Sequence, residues 1–163
     1  MTTTPTTANV NVKITANGAS PTAGVTFAFS AGANLPKGVL ISSDGSLDFS
    51  TVYTKGTVIA LVFNLETTSL TFGSNTYPLN IFSQGGASNA CWIASTKPPQ
   101  GPYSGTEFSF PANALGPGNA ALTIIDNNDD GLTWYYELFV WLGGAAAQKF
   151  GHDPRIINHS NNK

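Results

Sequence analysis

Hydrophobic side chains recur at every second position along most of this chain, and a period of two belongs to strands rather than helices. Val10, Val12 and Ile14 alternate with polar neighbours, as do Val25, Phe27 and Phe29, Leu47 with Phe49, Leu70 with Phe72, Phe108 with Phe110, and Leu122 with Ile124. Residues 57–65 (TVIALVFNL) are apolar on both faces at first, the pattern of a central strand. Residues 133–142 (TWYYELFVWL), β-branched and aromatic, form the strongest strand of all. Between these runs lie Asn17-Gly18, Ser20-Pro21, Asp44-Gly45, Gly85-Gly86, Lys97-Pro98-Pro99 and Gly116-Pro117-Gly118, all turn signals. Short strands punctuated this often predict an all-β antiparallel sandwich. The 163 residues suffice for one ordinary core, placed over residues 8–159, with disordered tails at 1–7 and 160–163. Residues 143–148 (GGAAAQ) suit a turn of helix, a loop or a tight strand crossing, and residues 83–104, rich in Gly, Ser and Pro, are expected to form a long functional loop.

One segment carries the pattern of a metal loop. Asp126-Asn127-Asn128-Asp129-Asp130-Gly131, followed by Glu137, satisfies D-x-[DN]-x-[DN]-G-x₅-E, the calcium loop of an EF-hand. The flanks do not fit, because an EF-hand needs helices and both neighbouring segments are strand-like. Two readings follow. In the first, Asn, Asp and Gly close a hairpin that launches the aromatic strand. In the second, Asp126, Asn128 and Asp130 hold calcium on a strand-turn-strand scaffold, with Glu137 too far along the strand to reach the ion.

Charge is scarce: 10% of residues are charged, against about 25% in an ordinary domain. The seven basic residues form no stripe, which argues against nucleic acid as a partner. A surface with so little charge and a net charge of -2 repels its own copies weakly, so a homo-oligomer is expected. No apolar run approaches the roughly 20 residues that span a bilayer, and the Met-Thr-Thr-Thr-Pro start lacks the features of a secretory signal. A soluble cytoplasmic protein with no membrane partner is the expectation.

Cys91 stands alone beside Trp92 with no Lys, Arg or His nearby in sequence, and reads as a small buried hydrophobe rather than a reactive thiol. His152 and His159 would need Cys91 and a methionine to make a copper site, but the only methionine is Met1. There is no G-x-S-x-G elbow, no H-E-x-x-H and no P-loop, and the paired carboxylates sit in turns. No catalytic residues and no resident cofactor are assigned, and the chain reads as a non-enzyme. Aromatic residues offer a different chemistry. On the strand at 133–142, Trp134, Tyr136, Leu138 and Val140 share one face, and Tyr135, Phe139 and Trp141 lie on the other. The second set is either covered by neighbouring strands or forms a ligand or subunit contact, for instance a platform on which a carbohydrate stacks.

The C-terminal pattern also carries a resemblance. The acidic turn at 126–131, the strand Trp134-Tyr-Tyr-Glu-Leu-Phe-Val140 and the ending Asp153-Pro-Arg-Ile-Ile-Asn158 resemble the DP-EP family of small bacterial proteins, and more distantly the AidA and PixA inclusion-body proteins. The resemblance covers about the last forty residues. It implies an immunoglobulin-like β-sandwich of unestablished role and supplies no catalytic residue. Pro154 is expected to end the preceding strand pairing. Together these features predict a bacterial β-sandwich acting by binding or self-assembly, or a carbohydrate-binding module with calcium at the acidic turn.

Overall fold

The computed structural model describes residues 4–158. The terminal positions 1–3 and 159–163, including His159 and the expected C-terminal tail, lie outside the described residues. Among the described residues thirteen strands follow one another: β1 (Thr6–Ala16), β2 (Val25–Ala31), β3 (Leu40–Ile41), β4 (Leu47–Asp48), β5 (Ile59–Leu65), β6 (Ser69–Phe72), β7 (Asn75–Ile81), β8 (Cys91–Ala94), β9 (Phe108–Ser109), β10 (Ala121–Asp126), β11 (Thr133–Leu142), β12 (Gln148–His152) and β13 (Arg155–Ile157). The first sheet has the order β2-β1-β5-β10-β9, and the second runs β3-β4-β13-β11-β7-β6 with β8 and β12 also paired to β11. The all-β, two-sheet architecture is the one the alternation predicts. Two details differ. The sheets are mixed rather than antiparallel throughout, because β1 pairs with β5 and β13 with β4 in parallel. Thr6 and Thr7, expected in the tail, open β1 and pair with Ile59 and Ala60.

The core sits between the sheets. Val10, Val12 and Ile14, Leu61 and Phe63, and Leu122 and Ile124 come from the first sheet; Leu79, Ile81, Tyr136, Leu138, Val140, Leu142 and Ile156 come from the second, and all are buried. Strand β5 is central, as its apolar run predicts, with β1 on one side and β10 on the other. Burying each such side chain contributes about 1.5–3 kcal/mol, which is why the period-two pattern fixes the register.

Strand β11 organises the second sheet. On one edge it pairs with β8 through Tyr135–Leu138 and with β7 through Val140–Leu142. Phe139 falls between these pairings, where its N–H donates to Ala90 O at 2.8 Å and its carbonyl accepts from Phe82 N at 3.0 Å. Residues 83–89 thus leave the sheet as a loop and return as β8, so part of the region expected to be one long loop is a strand. Cys91 begins that strand fully buried, and burial pushes its thiol far above the ordinary range, where it is not a nucleophile.

The other edge of β11 pairs with β12 and β13 in a single register, from Leu142↔Gln148 to Thr133↔Ile157. Pro154 does interrupt the ladder, which has no residue pair between His152 and Arg155 and then resumes in the same register. Its carbonyl still accepts from Tyr136 N at 3.0 Å, and only the return bond is lost because proline has no N–H. Residues 143–147 form the tight connection between β11 and β12, the loop alternative for that segment. Among the described residues, no helix is long and apolar enough to cross a membrane.

Tyr136 ties the sheets together. Its ring lies 5.2 Å from that of Phe63 on the opposite sheet. Its hydroxyl donates to Gly45 O at 2.6 Å, inside the core. Gly45 has φ of 89°, and a Cβ there would stand 2.9 Å from the Tyr136 hydroxyl and 2.8 Å from the Phe29 ring. Replacing Tyr136 with Phe leaves the Gly45 carbonyl buried without a donor. The expected loss is about 1–3 kcal/mol, read as a lower urea midpoint at unchanged slope.

Candidate functional site

The acidic segment does not close a hairpin. Strand β10 pairs with β5 and β9 in the first sheet, whereas β11 belongs to the second, so residues 127–132 cross from one sheet to the other. Asx turns shape the crossing: Asp126 Oδ1 accepts from Asn128 N at 2.8 Å, and Asp130 Oδ1 accepts from Leu132 N at 2.9 Å. Asn128 has φ of 51° and its amide donates to Thr54 O at 3.3 Å. Asp130 Oδ2 accepts from the Trp134 indole at 2.9 Å. Both Asp130 oxygens thus meet protein N–H groups. Glu137, as expected, lies elsewhere, on β11 opposite Trp92.

Asp126 instead meets two residues far away in sequence. Asn158 Nδ2 donates to Asp126 Oδ1 at 3.2 Å and to Glu107 Oε1 at 3.0 Å. Glu107 Oε1 also accepts from Asp129 N at 3.1 Å. Glu107 precedes β9, Asp126 ends β10, and Asn158 follows β13, so the three join the two sheets at one end of the sandwich. All three are buried. Asp126 Oδ2 and Asn158 Oδ1 have no hydrogen-bond partner among the described residues.

Acidic groups crowd this end. Burial, then the Asp129 carboxyl and the charges of Asp126 and Asp130, push Glu107 up to about 8. Burial also raises Asp126, although the Asn128 N–H and the side chains of Glu107 and Asn158 pull the other way. Among the described residues, no group of three or more His, Cys, Asp or Glu side chains is arranged to hold a metal ion. A cation here would have to draw on amide or backbone oxygen as well.

A second polar feature lies along the β11–β13 ladder. It is a cleft of about 360 Å³ between the β3–β4 turn and the Asp153-Pro154 step. Tyr135 and Arg155, directly paired in the ladder, line it together with Ser42 and Ser46. Lys97 approaches Asp153 at 3.7 Å. Asp44 accepts from Ser46 N at 2.9 Å and from Ser46 Oγ at 3.2 Å. The Ser46 N–H, then its hydroxyl and the charges of His152 and Arg155, keep Asp44 below its ordinary range against a smaller opposing effect of burial. His152 contacts Asp44 O through Nε2 at 2.7 Å, with its ring stacked on Phe27 at 5.3 Å.

The aromatic trio divides. Tyr135 lines the cleft, half-buried. Phe139 is buried over Gly151, where a Cβ would come within 2.6 Å of its ring, and Trp92 lies edge-on at 4.9 Å. Trp141 packs on Phe82 at 5.9 Å. Lys149 Nζ stands 4.4 Å above Phe139 and also covers Phe82 and Trp92. Phe139 thus belongs to a covered aromatic cluster, Trp141 flanks it half-buried, and Tyr135 joins the concave surface. The alternation places all three on one face but cannot say what lies over it.

No protein-family model matches this chain, and no curated protein matches it.

The crowded carboxyls set a direction for stability against pH. Glu107 and Asp126 hold protons more tightly in the folded chain than in the unfolded one, so the folded state binds more protons and loses stability as pH rises. Their contribution is complete below the ordinary carboxylate values of about 4 and is lost as pH climbs through about 8 for Glu107. In metal-free buffer, Glu107→Gln should be more stable than the parent at pH 8.5, with the difference shrinking towards pH 5. Thermal unfolding across that range measures it.

Proposed function

We propose that this protein is a non-enzymatic binding module whose ligand is a neutral carbohydrate, held in the cleft between the β3–β4 turn and Asp153-Pro154. The carrying observation is the composition of that cleft: the Tyr135 ring and the His152 imidazole, with two acids, Asp44 and Asp153, and the bases Lys97 and Arg155. Lys97 and Arg155 balance Asp44 and Asp153, so these four charges do not select an ion. A sugar hydroxyl both donates and accepts, so donors and acceptors of both signs suit a polyol, and a half-buried tyrosine gives its apolar face a place to stack. Four of the sixteen charged residues in a charge-poor chain line this one cleft.

Binding fits these groups better than catalysis does. Asp44 is stabilised in its ionised form and would not donate a proton near neutral pH. Kinship with the DP-EP family and an immunoglobulin-like topology form part of the same reading. They are supported by the two-sheet core and by the placing of Asp153-Pro154 at the cleft. Self-assembly has less support, because the large apolar side chains exposed among the described residues are Leu40 and Leu132, too few for a contiguous patch.

A glycan array followed by calorimetry tests the proposal. The parent should bind a set of neutral glycans, and Tyr135→Ala and Arg155→Ala should each weaken binding about tenfold or more without loss of fold, in line with about 1.4 kcal/mol per tenfold. Silence of the folded parent across the neutral glycans would sink the idea.

A further inference from the structure

We propose that Glu107, Asp126 and Asn158 form a calcium site that fastens the end of β13 to the first sheet. This does not rest on the cleft. The first observation is the convergence itself: two carboxylates from one sheet and an amide from the other share a single contact point, with the Asn158 amide nitrogen 3.0 Å from Glu107 Oε1 and 3.2 Å from Asp126 Oδ1. The second observation is independent. Asp126 and Asn158 are 0% and 1% exposed, yet Asp126 Oδ2 and Asn158 Oδ1 have no partner among the described residues. A buried acceptor without a donor costs about 1–3 kcal/mol, more when charged, so two at one place call for an explanation.

A half-turn of the Asn158 amide exchanges its nitrogen for its oxygen. Its oxygen would then stand 3.0 Å from Glu107 Oε1 and 3.2 Å from Asp126 Oδ1, the spacing of neighbouring ligands around an ion bound at about 2.3–2.6 Å, with the unpartnered Oδ2 of Asp126 on the same carboxylate. All the donors are oxygen, which selects a hard cation over zinc or copper. Calcium fits better than magnesium, because an irregular set drawn from three separated segments cannot impose a strict octahedron. The nearby Asp129, exposed beside Glu107, adds negative charge from the solvent side. Asp126, Asp129 and Asp130 are the charged groups that act on Glu107, so its proton is the one an incoming cation would displace.

Calcium chloride titrated into the full chain, followed by thermal unfolding and calorimetry, tests the site. Terbium provides a local readout, since the Trp134 indole is bonded to Asp130 beside the cluster and would sensitise its emission. One ion per chain is expected, with a raised unfolding temperature and an affinity that increases with pH. Glu107→Gln should weaken binding about tenfold or more, in line with losing one charged ligand worth about 1.4 kcal/mol. Asn158→Asp should bind calcium more tightly while being less stable without it, a reversal that a merely structural residue would not produce. Absence of any effect at about 10 mM calcium, well above the weakest ordinary sites at about 10⁻³ M, would overturn the proposal. So would unchanged affinity in a folded Glu107→Gln protein, or stabilisation by magnesium alone.

Discussion

The backbone hydrogen bonds of β11 hold the second sheet together. Its ten residues serve β7 and β8 along one edge and β12 and β13 along the other, so segments from before and after it in the sequence share one template. The strand suits that role through its composition: Trp, Tyr, Phe and Val favour the extended backbone and carry large apolar payloads. Its inner face then anchors the core through Tyr136, whose ring reaches β5 and whose hydroxyl holds the β3–β4 turn. That turn forms one wall of the cleft, so the shape of the polar surface depends on a residue in the middle of the core.

Low charge makes the placement of the few ionised groups informative. Of nine acidic residues, four gather where β10 crosses to β11, and the charges that act on Glu107 there among the described residues are acidic. At the cleft the signs are balanced instead. A single short strand touches both places, since Arg155 opens β13 and Asn158 follows it. Anything that fixes Asn158 therefore also restrains the backbone that carries Arg155.

Much of the fold can be read from the period of two, because a half-buried strand imprints its register on its own residues. Val10, Val12 and Ile14, the run at 59–65 and the inner face of β11 all fall where the alternation puts them. What the alternation lacks is information about partners. Asn-Asp-Gly chemistry marks a turn after Asp126 but not whether the next strand stays in the same sheet, and here it leaves. Pro154 marks a missing donor, yet one absent bond did not outweigh the pairing on either side. The candidate site was legible only in part. Tyr135 and Asp126 were picked out by type and spacing. Glu107, a lone acid in a polar stretch, and Asn158, a terminal amide, acquire meaning only once residues 51 and 32 positions apart are brought together. Such contacts leave no local signature.

The parallel pairing of β13 with β4 has a consequence for synthesis. Strands β3 and β4 are made well before β13, through which β4 joins the rest of its sheet among the described residues. Until then its open edge has no partner in its own chain, and contacts this far apart in sequence are slow to form. The hairpin is only two residues deep on each side. An edge that short offers a neighbouring nascent chain little to grip, which suits a segment that must wait for β13 before it finds its place.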